Sequence, residues 1–199
     1  MNIYFVRHGQ TNENNKGYYY GKMDVYLNEK GLSQARKAAA FLSPIKFDEV
    51  YVSERKRTTE TARIILQDHS QRVKLNVDKR INEMDFGSFE GKNYRDIKKL
   101  YPKEWEVWCS DWKNQSPPGG ESYIQFYSRI HGFMDDILKL DRENILIVTH
   151  GGVVRSVYCY ILNGNLDFFW KFASKNGDVT LIKYEYNNLY IDSITHVDI

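Results

Sequence analysis

At 199 residues, with 42% hydrophobic and 15% aromatic side chains, the chain has the composition of a globular protein large enough for one domain with a substantial core. No uncharged apolar stretch approaches the roughly 18 residues of a membrane span. With 28 basic against 26 acidic residues, the net charge of +2 is too weak to argue for nucleic acid or an anionic membrane as partner.

Ile3 to Val6 is a buried-strand pattern, and it starts too early to leave room for a secretory signal. A polar, glycine-punctuated loop runs from Gly9 to about Leu27, and Asn28 caps a helix to about Leu42 with the stripe Leu32, Ala35, Ala39, Leu42. Phe47 to Val52 alternates as a strand, Ser53 serves as an N-cap, and residues 54–67 form a helix facing Ala62, Ile65 and Leu66 inward. Val73 to Val77 reads as a third strand, followed by turns at Gly87 and Gly91.

Residues 93–115 are helical in pieces around Pro102, and Ser116 to Gly120 is a break. An amphipathic helix from about Glu121 to Leu140 carries Ile124, Tyr127, Ile130, Met134, Ile137 and Leu138 on one face. Ile145 to Val148 is another buried strand, with a helix after it to about Leu162, and Val179 to Tyr186 with Leu189 to Ile194 form a hairpin about Asn187-Asn188. This order predicts a three-layer α/β/α fold: a mostly parallel central sheet with an antiparallel edge, covered by helices on both faces. Cys109 and Cys159 lack metal or disulfide spacing, so they read as reduced packing thiols in a cytoplasmic protein.

His8 and His150 each follow an apolar strand and precede glycine. In open α/β sheets ligands bind beyond the carboxyl ends of the strands, so the two imidazoles are expected in one pocket. His69, His131 and His196 have no such placement and read as structural or surface residues. Arg55-Lys56-Arg57 puts cations in a helix's first turn, against the dipole, and a bound phosphate would relieve that charge. Arg7 beside His8 offers a second guanidinium, and two guanidinium forks with two imidazoles suit a phosphoryl dianion.

Arg7-His8-Gly9 with Thr11 and Asn14, then Asp24, Leu27, Gly31, Gln34 and Ala35, then Ser53 to Ala62 about Arg57, and finally Thr149 to Gly152, form an ordered set that resembles the histidine phosphatase superfamily, its phosphoglycerate mutase-like branch. Glu54, Arg55 and Thr58 depart from the family's helix pattern, while the arginine is kept. Asn82 to Gly87 with Glu90-Gly91 looks like the segment that supplies the acid, and Pro118 to Ser122 looks like the family's PGGES turn. The resemblance implies a nucleophilic His8, Glu83 as proton donor to the leaving oxygen, and charge stabilisation by Arg7, Arg57 and a protonated His150. Asn14 and Thr11 would be donors to the phosphate, and no cofactor or metal is implied.

Within the superfamily, Tyr20-Gly21, Ser53-Glu54, Asn82 to Gly87 and Trp108 to Trp112 look like α-ribazole phosphatases, which remove the 5′-phosphate from the lower-ligand nucleoside during cobalamin assembly. Trp105, Trp108 and Trp112 recur at helical spacing in a lid-like segment at about 90–120, either as core or as a stacking face for a flat base, with Tyr18, Tyr19 and Tyr20 bordering the entrance. Other readings are a broad-specificity or sugar-phosphate phosphatase, a phosphoglycerate mutase, or a phosphate-binding regulatory module without turnover. Residues 1–199 read as one domain acting on a small-molecule phosphomonoester.

Overall fold

The computed structural model describes residues 1–67 and 73–198. The described elements are strands β1 (Asn2–Arg7), β2 (Glu49–Val52), β3 (Leu75–Val77), β4 (Asn144–Thr149), β5 (Val179–Glu185) and β6 (Asn188–Thr195), with helices α1 (Asn12–Asn15), α2 (Glu29–Leu42), α3 (Lys56–Leu66), α4 (Tyr94–Leu100), α5 (Pro102–Ser110), α6 (Tyr123–Ile137) and α7 (Gly151–Ile161). The strands form one sheet in the order β3-β2-β4-β1-β5-β6. The first four are parallel, while β5 and β6 run antiparallel at one edge. This is the expected three-layer arrangement.

Strand alternation divides the core. Ile3, Phe5, Ile145 and Ile147 point to a cluster with the inner faces of α6 and α7. Tyr4, Val6, Leu146 and Val148 point the other way, to Ala38 and Leu42 of α2 and Ala62 and Ile65 of α3. No described helix is long and apolar enough to cross a membrane.

Several local expectations are corrected. The loop after β1 contains α1, closed by a capping box in which the Thr11 hydroxyl accepts from the Asn14 N–H and the Asn14 side chain accepts from the Thr11 N–H. Helix α2 buries Ala38 fully and Ala39 only in part, because its inward face also includes the small Gly31 and the polar Gln34. On α6 Ile124 is exposed, and the buried face is Tyr123, Phe126, Ile130, Phe133, Met134 and Ile137. The cap is Ser122, so the helix begins one step later than its motif suggests. Strand β3 is confined to Leu75–Val77. His69 lies outside the described residues.

Candidate active site

Parallel pairing of β1 with β4 sets Arg7 opposite Thr149, and the His8 N–H donates to the Thr149 carbonyl at 2.9 Å. His8 and His150 therefore leave the sheet side by side. Their ring centroids are 5.2 Å apart at an interplanar angle of 68°, and the residues are 3% and 0% exposed. Val52 pairs with Val148, so Ser53 reaches the same edge from β2.

The hydrogen bonds fix both tautomers. His8 donates from Nδ1 to the Gly9 carbonyl at 2.7 Å, which leaves the Nε2 lone pair free. Burial, then the charges of Arg57 and Arg7, hold this imidazole well below the ordinary histidine range, so the ring is neutral at neutral pH. His150 accepts at Nδ1 from Arg57 Nε at 3.3 Å, so its proton is on Nε2, facing Ser53 Oγ at 2.8 Å. Burial, followed by Arg57 and His8, depresses it strongly as well. The expectation of a protonated His150 is thus corrected for the protein alone, where adjacent cations and a dry site keep the ring neutral.

Arg57 is fully buried at the start of α3. Besides its bond to His150, it donates from Nη1 to the Met23 carbonyl at 2.7 Å and from Nη2 to the Gly21 carbonyl at 3.1 Å. Its guanidinium carbon lies 4.7 Å from the centroid of the Tyr20 ring. The Glu90 carboxylate holds this loop by accepting the N–H groups of Gly21 (2.6 Å), Lys22 (3.0 Å) and Met23 (3.3 Å). A Cβ on Gly21 would stand 1.8 Å from the Met84 carbonyl oxygen, so only glycine fits there. Tyr20, at 6% exposure and bonded to Thr11 through its hydroxyl at 2.7 Å, does not border an entrance; with Gly21 it forms the bed of Arg57. Ser53 is no N-cap, since Arg55 occupies that position without a side-chain bond. The misplaced cations are partly answered by Asp24, whose carboxylate accepts the Lys56 N–H at 2.7 Å.

Arg7 and Glu83 meet at the N-terminus of α7. Arg7 Nη1 donates to the Ser174 carbonyl, while its buried Nε has no partner. Glu83 accepts the Gly152 N–H at 3.0 Å and the Met84 N–H at 3.0 Å. Bulk explains the paired glycines: a Cβ on Gly151 would lie 3.1 Å from the Arg7 guanidinium, and one on Gly152 would lie 2.2 Å from Glu83 Oε1. Arg129 on α6 fixes the Glu83 segment by donating to the carbonyls of Arg80 (2.6 Å), Asn82 (2.8 Å) and Glu83 (3.1 Å). Glu121 pairs with Arg129 at 2.7 Å, which gives the Pro118 to Ser122 turn its structural purpose. Thr11 is fully buried, and Asn14 accepts through Oδ1 from Asn176 at 3.2 Å; Asn176 also donates to the His8 carbonyl at 3.0 Å.

Arg7, Glu83, Gly151 and Gly152 form one wall of a cavity of about 410 Å³ whose other walls are largely aromatic. Trp105, Trp108 and Trp112 all line it, but not from one helical face. Helix α5 ends at Ser110, so Trp112 falls in the following turn. Trp105 and Trp108 pack edge-on with Tyr19, at centroid distances of 6.2 and 5.8 Å. Trp112 packs on Tyr123 at 4.9 Å and Phe169 at 5.9 Å. The Trp108 Nε1 donor is buried without a partner.

Sequence reading missed Ser53 as the partner of His150, the Glu90 and Arg129 clamps, and Arg155, which lines the cavity from α7. Arg155 left a signal, as one cation inside the apolar run Val153 to Val157.

The sequence profile of the histidine phosphatase superfamily (branch 1) matches residues 3–196. The chain is 33% identical over 178 residues to an adenosylcobalamin/alpha-ribazole phosphatase of Salmonella typhimurium, covering 89% of this chain and 87% of that protein. It is 30% identical over 186 residues to phosphoserine phosphatase 1 of Hydrogenobacter thermophilus, covering 93% and 87%. Among solved structures, the alpha-ribazole phosphatase of Shigella flexneri superposes with a TM-score of 0.93 at 28% identity, over 99% of this chain and 97% of that one.

Proposed function

Because the chain belongs to the histidine phosphatase superfamily, branch 1, and is a phosphatase of that type, we propose that it hydrolyses α-ribazole 5′-phosphate. One observation carries the choice of substrate: the wall that holds Arg7 and Glu83 opens into an aromatic cavity with an unpaired indole N–H. A nucleoside with a flat heterocycle fills such a space by ring contact and offers a ring nitrogen to Trp108. A small hydroxy-acid phosphate leaves most of it unfilled.

In this reading His8 Nε2 attacks phosphorus in line with the ester bond. The phosphorus–oxygen bond to the ribose breaks, and Glu83 gives its proton to the departing oxygen, a contribution of about 10² to 10⁴ in rate. Water then attacks the phosphohistidine, returns a proton to Glu83 and releases phosphate. Arg7, Arg57 and the Asn14 side-chain amide bind the equatorial oxygens, with Thr11 holding Asn14 in place. Ser53 and His150 complete the cradle, and the incoming dianion favours a proton on His150 that the protein alone disfavours.

Residues 1–199 act as one domain in this account, and the segment at about 90–120 covers the leaving group. A cytoplasmic setting goes with it, since Cys109 and Cys159 are both free. The test is a comparison of kcat/KM on α-ribazole 5′-phosphate, phosphoserine, 3-phosphoglycerate, sugar phosphates and an aryl phosphate, with His8→Ala as control. The highest value is expected on α-ribazole 5′-phosphate and none with the variant. A higher value on another substrate overturns the assignment.

A further inference from the structure

Arg155 takes no part in the chemistry above, yet it lines the same cavity as Arg7 and Glu83. Its guanidinium carbon lies 5.7 Å from the Phe169 ring centroid and 5.2 Å from that of Trp170. Its Nε is buried without a partner, and among the described residues its side chain makes no hydrogen bond or ion pair. Buried donors are rarely left unpaired, so the position is built for an acceptor that arrives with a ligand. The two aromatic faces already offset part of the charge, which leaves in-plane N–H donors to satisfy rather than a counter-ion to find.

Place along the helix identifies the acceptor. Arg155 is one turn beyond Gly151, about 6 Å at the usual rise per residue. A Cβ on Gly151 would lie 3.1 Å from the Arg7 guanidinium, so this end of the helix is beside the phosphate end of the cavity. The indole donor of Trp108 marks the base end. In a nucleoside 5′-phosphate the sugar is the group next to the phosphate, so a donor lining the cavity one turn from the phosphate end suits the sugar.

We propose that Arg155 is a specificity-determining residue that donates to the vicinal hydroxyls of the ribose lying between phosphate and base. The inference rests on the nucleoside reading above in placing a sugar at this depth.

Arg155→Met keeps the apolar stem against Phe169 and Trp170 and removes the donors. On α-ribazole 5′-phosphate it is expected to lower kcat/KM about 10- to 100-fold, the range for a hydrogen bond to a charged group. On the 2′,3′-dideoxy analogue and on p-nitrophenyl phosphate the change is expected to stay within about twofold. Equal losses on the ribose substrate and its dideoxy analogue overturn the proposal, as does a loss largest on phosphoserine, which would make Arg155 a carboxylate ligand. Thermal unfolding of the variant separates either result from misfolding. If the wild type prefers a different phosphomonoester, the substrate assignment fails on its own, and the same pair of measurements on adenosine 5′-phosphate and its dideoxy analogue decides the role of Arg155. Absence of turnover on every ribose phosphate overturns both.

Discussion

Arg57 and His150 are joined by a hydrogen bond that sets the charge of the site: Nε of the guanidinium donates to Nδ1 of the imidazole at 3.3 Å. A protonated imidazole has no lone pair at Nδ1 to accept it. The bond and the burial thus select a neutral ring beside a permanent cation, and His8 lies in the same field.

The pH dependence follows in sign. Both histidines have folded values depressed well below 6.5. Near and below 6.5 the unfolded chain therefore binds protons that the folded chain refuses. Their contribution is intact above about pH 6.5 and is lost as pH falls from there towards the folded values, at up to about 1.4 kcal/mol per pH unit for each ring. Denaturant titrations between pH 7 and 5 are expected to show this slope, reduced in His150→Asn. The acid limb of kcat/KM should likewise lie below 6.5, because His8 stays unprotonated there; a limb at or above 6.5 contradicts the neutral pair.

Ser53 faces Nε2 of His150 at 2.8 Å and is fully buried. Ser53→Ala leaves that N–H unsatisfied, at a cost of about 1 to 3 kcal/mol in stability. It also frees the ring to tilt, so a drop in kcat of about tenfold with little change in KM is expected in steady-state kinetics. Unchanged stability and kcat together would remove Ser53 from the site.

Gly152→Ala places a methyl group where Glu83 Oε1 now lies 2.2 Å from the Cβ position. The carboxylate has to leave its backbone donors. On the proposed role of Glu83, loss of a positioned acid is expected to lower kcat by about 10² to 10⁴ on alkyl phosphates. An aryl phosphate, whose leaving group needs less protonation, should lose far less. Equal losses would mean that the methyl group disturbs phosphate binding instead.

The tryptophans separate by their packing. Trp112 leans on the buried Tyr123, so Trp112→Ala is expected to cost up to about 3 kcal/mol in stability. Trp108→Phe keeps a ring and loses the unpaired N–H. It should raise KM for α-ribazole 5′-phosphate by roughly 5- to 10-fold, about the worth of one hydrogen bond, while sparing p-nitrophenyl phosphate. Equal effects on the two substrates would return Trp108 to a packing role.

Glu90→Gln tests whether Arg57 depends on its loop. The carboxylate gathers the N–H groups of Gly21, Lys22 and Met23, and the carbonyls of Gly21 and Met23 then grip the guanidinium. A neutral amide accepts these bonds more weakly. Binding of vanadate, a probe of the proposed phosphate cradle, should weaken about tenfold without a change in fold by circular dichroism.

Local pattern made the strands legible: Ile3 to Val6 and Ile145 to Val148 are apolar runs ended by a histidine and glycine, and those cues are contiguous in the chain. The face of α6 was harder to read, because Tyr123, Phe126 and Phe133 compete with Ile124 and Tyr127 for an apolar stripe and only the facing helix decides between them. Tyr20 looked like an entrance residue for the same reason. Nothing beside it in sequence shows that Arg57, far along the chain, rests on its ring.

By itself the sequence determined the order of strands and helices, the two strand-end histidines and the arginines near them, since strand period, turn residues and motif spacing are properties of neighbours. Tertiary structure alone decided the state of those groups. Pairing of β1 with β4 brings His8 within 5.2 Å of His150, and burial beside Arg57 makes both rings neutral. Folding also draws Arg155, Trp108 and Glu83 to one cavity from three segments of the chain. Electrostatics and packing act through space, so residues far apart in sequence settle the protonation and the shape on which recognition depends.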